Sequence, residues 1–207
     1  MGVAVYTQAL FIVADSAYLR GAGVMFAFLR TFLNRRQFVR FRMGWVEAVC
    51  TVEPLLLLAV TYVVQAGAVP PVGAGFGRLV AAVLGAALAL VGWSLLTWSF
   101  LSWRGLFAGH GVLADHRLVT HGAYGFVRHP VYLAAFLIWL ALAVGFLSLT
   151  AFLVTVLYVI PIYLLYMRSE EEMMFESFGE AYREYQRRVP MLIPRLHLPA
   201  RAQAAPG

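Results

Sequence analysis

Long apolar runs, separated by short clusters of arginine, glycine and proline, set the pattern of this chain. The runs are Val3 to Leu19, Trp45 to Gln65, Arg78 to Trp103, Val131 to Phe146 and Leu149 to Met167. Each approaches or exceeds the roughly 17–25 residues that a helix needs to cross a bilayer, so the pattern predicts about five transmembrane helices. The last two are joined by a few residues around Ser148 and predict a helical hairpin. The first run is broken by Asp15 and has neither a basic leader nor a small-residue cleavage site, which reads as a retained helix. After it, Arg20, Arg30, Arg35, Arg36, Arg40 and Arg42 are interleaved with Phe26, Phe28, Phe32, Phe38 and Phe41. That mixture predicts an interfacial or re-entrant amphipathic stretch.

Composition sharpens the picture. Of 207 residues, 62% are hydrophobic and 13% charged, which excludes a soluble domain, a disordered regulator and a nucleic-acid-binding surface. The 16 basic residues are all arginine and outnumber the 10 carboxylates, for a net charge of +6. Most of them fall in the segments after the first, third and fifth runs, whereas the turn from Gly67 to Gly77 carries no charge. The positive-inside rule then puts the amino terminus outside and the carboxyl terminus in the cytoplasm. Cys50 is the single cysteine, so no internal disulfide can form.

Polar groups that topology does not require are concentrated in Gly105 to Pro130 and Arg168 to Arg188. A residue before proline is pushed out of the helical region, so His129 should be extended while Pro130 occupies the first turn of the fourth span. Arg128 and His129 then stand at a helix amino terminus, a place suited to a carboxylate or phosphate. Tyr132 follows within the first turn, and Tyr124 sits in a turn flanked by Gly122 and Gly125. Beyond the fifth span come Arg168 and three carboxylates, Glu170, Glu171 and Glu172, beside a lipid surface that is itself negative. They are either a solvated acidic patch or the ligands of a cationic or polyhydroxylated molecule. Met174, Phe178, Tyr182 and Tyr185 recur every three to four residues and give that segment one apolar face.

Other signals carry less. Gly73, Gly75 and Gly77 follow a proline pair rather than a strand, so they read as a loop and not a nucleotide site. His110, His116, His121 and His129 match no common metal spacing, and no metal site is expected. Glu53, next to Pro54 inside the second span, calls for a partner: an arginine, an acceptor molecule or an ion path. Pro161 predicts a bend in the fifth span.

The succession LVTHGAYGFVRHPVY, a hydrophobic hairpin, EE, FGEAYREY and VPMLIP resembles the isoprenylcysteine carboxyl methyltransferase and phospholipid methyltransferase superfamily of integral membrane enzymes. The likeness covers Leu118 to Pro194. Ala123 stands where the family usually has proline, and Ala134 or Ala135 where a glycine is common. The resemblance implies an all-α membrane bundle that uses S-adenosylmethionine to methylate a lipophilic or lipid-borne acceptor, with membrane lipids as its surroundings and no nucleic-acid partner. It implies a cofactor site of Gly122, Tyr124, His129, Tyr132, Glu170 and Glu171, with Arg128 and Arg168 as catalytic residues. The acceptor it suggests first is the carboxyl group of an isoprenylcysteine-like compound. An ethanolamine-type phospholipid amine is the second, and a transporter or channel component built around Asp15 and Glu53 is the non-enzymatic alternative. The expected organisation is amino-terminal helices over 1–104, a cofactor-binding region over 105–196 and a tail over 197–207. A bacterial inner membrane, with the site facing the cytoplasm, is the expected location.

Overall fold

In the computed structural model the described residues are 2–33, 38–41, 44–73, 75–103, 111–113 and 117–194. Arg35, Arg36, Arg42, Arg104, His110, His116 and the tail 197–207 lie outside them. The chain is an all-α polytopic membrane bundle. Four helices are long and apolar enough to cross a membrane: α1 (Gly2–Leu33), α2 (Trp45–Ala66), α3 (Phe76–Ser102) and α6 (Leu149–Phe178). Between α3 and α6 lie the single turn α4 (Ala123–Phe126) and the shorter apolar α5 (Pro130–Gly145), and α7 (Glu180–Arg188) closes the described chain. Five apolar helices therefore stand where five were expected, with α5 too short to span by length alone.

The amphipathic stretch expected after Leu19 is not there as drawn. α1 runs through Arg20 without a break to Leu33. A charge on the apolar part of a membrane helix needs a partner, and Arg20, only 5% exposed, donates a 2.6 Å hydrogen bond to Glu53 of α2. The later part of the same stretch forms a short strand, β1 (Phe38–Phe41), paired antiparallel with β2 (Gly111–Leu113) of the loop after α3. This ribbon joins the α1–α2 connection to the α3–α4 connection, with Phe41 opposite Gly111.

α3 and α5 approach through small residues. Gly85, Ala86, Ala89 and Gly92 of α3 are buried, and a Cβ at Gly85 would stand 2.5 Å from the Gly145 Cα. With lipid tails as apolar as any side chain, such close backbone contact is what holds membrane helices together. Trp139, Ile138 and Leu142 of α5 are fully buried in the same core, whereas Phe11, Leu90, Leu101 and Leu157 are exposed and cover the outside of the bundle.

Proline lies inside two of the helices. Pro54 interrupts the α2 hydrogen-bond ladder, and the Tyr158 hydroxyl donates to the nearby Val49 carbonyl at 2.8 Å. In α6 a π-helical turn, Thr155–Val159, precedes Pro161 and absorbs the register that proline cannot satisfy. α6 nevertheless continues through its apolar part to Phe178. At about 1.5 Å per residue it is longer than the ~30 Å hydrocarbon layer, so its glutamate-bearing end projects beyond it.

Candidate functional site

The site forms where the loop before α5 meets the projecting end of α6 and α7. Its floor begins at Gly122, whose φ of 59° is one that L side chains rarely adopt. A Cβ there would run into the Ser102 hydroxyl, and that hydroxyl accepts a 2.9 Å hydrogen bond from the Ala123 N–H. Glycine thus lets the loop lie directly on the end of α3 and turn into α4. The Tyr124 carbonyl of that turn accepts a 2.7 Å hydrogen bond from the Tyr185 hydroxyl of α7.

Next, Arg128 and His129 are held extended by the segment after α7. Their N–H groups donate to the Pro190 and Met191 carbonyls at 2.9 and 3.1 Å, which ties the residues ahead of α5 to the returning segment. The Arg128 side chain is equally committed. It donates to Glu171 Oε1 at 2.7 Å, to the Val189 carbonyl at 2.6 Å and to the Gln186 carbonyl at 3.1 Å. This one guanidinium ties α5, α6 and the end of α7 together.

The paired glutamates of α6 take different partners. Glu171 receives Arg128 and the His129 imidazole, 3.1 Å away, on Oε1, and the Gln186 amide at 2.9 Å on Oε2. Glu170 is approached by the other imidazole nitrogen at 3.7 Å; burial pushes its carboxyl up, while His129 and the nearby hydroxyls of Tyr132 and Tyr166 favour the charged form. His129 therefore sits between the two carboxylates, with its ring against the edge of Tyr132, 5.6 Å between centroids.

Above this array is a cavity of about 130 Å³, walled by Tyr124, Tyr132, Tyr182, Tyr185 and Met173 and reached by Glu170. Burial pushes the Tyr124, Tyr182 and Tyr185 phenols above their usual range, with nearby glutamates adding to the effect. They stay neutral at ordinary pH and offer π faces and hydroxyls, not a phenolate base. The combination of one carboxylate, aromatic faces and a methionine thioether suits a ligand that carries positive charge beside an aromatic ring.

Of the residues singled out in the sequence, Tyr124, Arg128, His129, Tyr132 and Glu170 line this cavity. Glu171 lies behind them, and Gly122 sets the loop's position. Arg168 is not brought in: it is exposed, does not line the cavity and has no hydrogen bond or ion pair to the described residues. Sequence reading missed Tyr166 and Gln186. Tyr166 lies one helical turn before Glu170, on the same face, and that spacing was the signal available. Gln186 follows Tyr182 and Tyr185 on α7, with nothing in the sequence to mark it.

Residues 80–181 match the phospholipid methyltransferase family. Over 83 residues the chain is 39% identical to the protein-S-isoprenylcysteine O-methyltransferase of Schizosaccharomyces pombe, a stretch that is 39% of this chain and 34% of that relative. Over 76 residues it is 37% identical to the methanethiol S-methyltransferase of Crocosphaera subtropica, which is 36% of this chain and 28% of that relative. The chain spans about a third of the length of the curated relatives it matches. The family match includes Arg128, His129, Glu170 and Glu171, and leaves out α1, α2 and most of α7.

Proposed function

We propose, from the match of residues 80–181 to the phospholipid methyltransferase family, that this chain is an integral membrane methyltransferase that takes its methyl group from S-adenosylmethionine. The observation that carries the reading is the part-buried array of Glu170, His129, Glu171 and Arg128 beneath an aromatic cavity at one end of the bundle. The donor set fits the cofactor. Glu170 offers a carboxylate to its ammonium or sulfonium charge, Tyr124, Tyr132 and Tyr185 offer ring faces and hydroxyls, and Met173 packs against the apolar parts. Bound there, S-adenosylmethionine supplies an activated methyl group on a sulfonium.

The protein's part is to hold two reactants in line and keep water away. Arg128, His129 and Gln186 fix Glu171, and Glu171 in turn fixes His129 beside Glu170, so Arg128 acts as a positioning residue. Arg168 stands outside that array, and no role at the reacting atoms follows for it. A lipophilic acceptor reaches the cavity from the membrane side, and the cavity faces the cytoplasm, where the arginine-rich loops lie. The carboxyl group of an isoprenylcysteine-like compound is the acceptor we favour, supported by the name of the S. pombe relative. A thiol is the second reading, favoured by the name of the cyanobacterial relative. It would have to lose a proton, for which His129 is the nearest base. A transport role built on Glu53 loses its main support, because that carboxylate is wholly buried and paired with Arg20.

The test is transfer of labelled methyl from S-adenosylmethionine by the protein in liposomes, offered farnesylcysteine, phosphatidylethanolamine and a long-chain alkanethiol separately. Labelling of the farnesylcysteine carboxyl supports the reading in full. Labelling of the thiol or the amine replaces the acceptor, and labelling of none of the three argues against the activity.

A further inference from the structure

Next to the cavity but outside its wall, four helices meet at one polar node inside the bundle. Arg20 of α1 donates to Glu53 Oε1 of α2 at 2.6 Å and to the Tyr163 hydroxyl of α6 at 2.7 Å. The Trp139 indole of α5 donates to the same Glu53 oxygen at 2.6 Å. Arg20 is 5% exposed and Glu53 is not exposed at all, while Glu53 Oε2 is buried with no hydrogen-bond partner. Buried ion pairs are weak stabilisers compared with apolar packing, so stability alone is a poor account of the node.

What the node does fix is the place of one ring. Tyr163 meets Tyr132 edge to face, with centroids 5.2 Å apart and planes at 81°. Tyr132 in turn meets the His129 ring, 5.6 Å between centroids, and its hydroxyl lies beside Glu170. α2 also reaches α6 nearly two turns further on, where the Ser169 hydroxyl, one residue before Glu170, donates to Glu47 at 2.6 Å. Glu47 is itself fixed by the Gly44 N–H at 2.8 Å.

We propose that Arg20, Glu53 and Tyr163 are positioning residues for the cofactor site, and that α1 and α2 thereby set the geometry of Glu170 and His129. These helices lie outside the family match and hold no residue of the cavity wall. The inference rests on the methyltransferase reading, since it assumes that the cavity binds the cofactor. Its mechanical content is narrow: the Tyr163 hydroxyl holds the Tyr163 ring, the ring holds Tyr132, and Tyr132 holds Glu170.

The experiment is binding of S-adenosylhomocysteine to detergent-purified wild type, Tyr163→Phe and the double variant Arg20→Met with Glu53→Gln, each with its thermal unfolding midpoint. The imidazole resonance of His129 in carbon-labelled protein, identified by its loss in His129→Ala, is followed alongside. Wild-type binding comes first, and its absence would sink the methyltransferase reading rather than the positioning role. Given that binding, Tyr163→Phe, which keeps the ring, should weaken it about fivefold or more, the equivalent of one lost hydrogen bond. It should also move the His129 resonance while the unfolding midpoint stays close to wild type. Unchanged affinity and an unmoved resonance in folded Tyr163→Phe would overturn the proposal. If Tyr163→Phe does not fold, the double variant decides, since it dismantles the Arg20–Glu53 node and spares the Tyr163 ring: weakened binding supports the proposal and wild-type binding overturns it.

Discussion

Arg128 and Glu171 lie 43 residues apart in the chain and meet at 2.7 Å, the guanidinium Nε donating to the carboxylate. The same arginine holds two carbonyls at the end of α7. The same glutamate holds His129 and Gln186. Through this single contact the loop before α5, the projecting end of α6 and the last helix become one unit, and the cavity exists only while they do.

Replacing Glu171 by glutamine keeps the shape but removes the charge that Arg128 and His129 both face. S-adenosylhomocysteine binding should fall at least ~10-fold, in line with a charge-assisted hydrogen bond worth about 1.5–3 kcal/mol. Calorimetric titration of the folded variant checks it.

Arg128→Lys is not a conservative change here, because an ammonium cannot span a carboxylate and two carbonyls in a planar fork. The variant should free the segment after α7, with the Pro190 and Met191 contacts weakened. Limited proteolysis should then cut between α7 and the carboxyl end much faster than in wild type, and added S-adenosylhomocysteine should slow that cutting in wild type alone.

Gly122→Ala meets two obstacles at once, a φ of 59° and the Ser102 hydroxyl. Such strain costs on the order of 1–3 kcal/mol, and the loop can relieve it only by lifting off α3. Binding should be lost by ~10-fold or more, whereas Gly125→Ala, measured beside it, should retain most of the affinity.

Breaking the Arg20–Glu53 pair from one side strands a buried charge. Arg20→Ala should lower stability by roughly 3–5 kcal/mol. The double variant Arg20→Met with Glu53→Gln, which removes both charges, should recover most of that loss. Unfolding followed in detergent by a thermal shift distinguishes the two.

The sequence made the site's two halves legible because both are local. Proline after His129 dictates an extended residue and a helix start, and the HGAYG and RHP segments mark the loop. Glu53 inside an apolar run demanded a partner on physical grounds. It did not say which one, and Arg20 read as interfacial because the pair that lets it stay inside the bundle is formed by two different helices. Arg128 stands at the start of α5 as expected, but its partners had no local signal. An arginine at a helix start points to an anionic ligand until a returning segment, here Gln186 to Met191, supplies carbonyls and hydrogen-bonds the same backbone. Tyr166 was within reach of a helical projection from Glu170, whereas the pairing of β1 with β2 has no local signal at all.

The most direct measurement is calorimetric binding of S-adenosylhomocysteine to the detergent-purified chain, with folded His129→Ala and Glu171→Gln variants as controls. The account predicts saturable binding to wild type that is lost or strongly weakened in both variants. No binding to folded wild type, or equal binding to all three proteins, would contradict it.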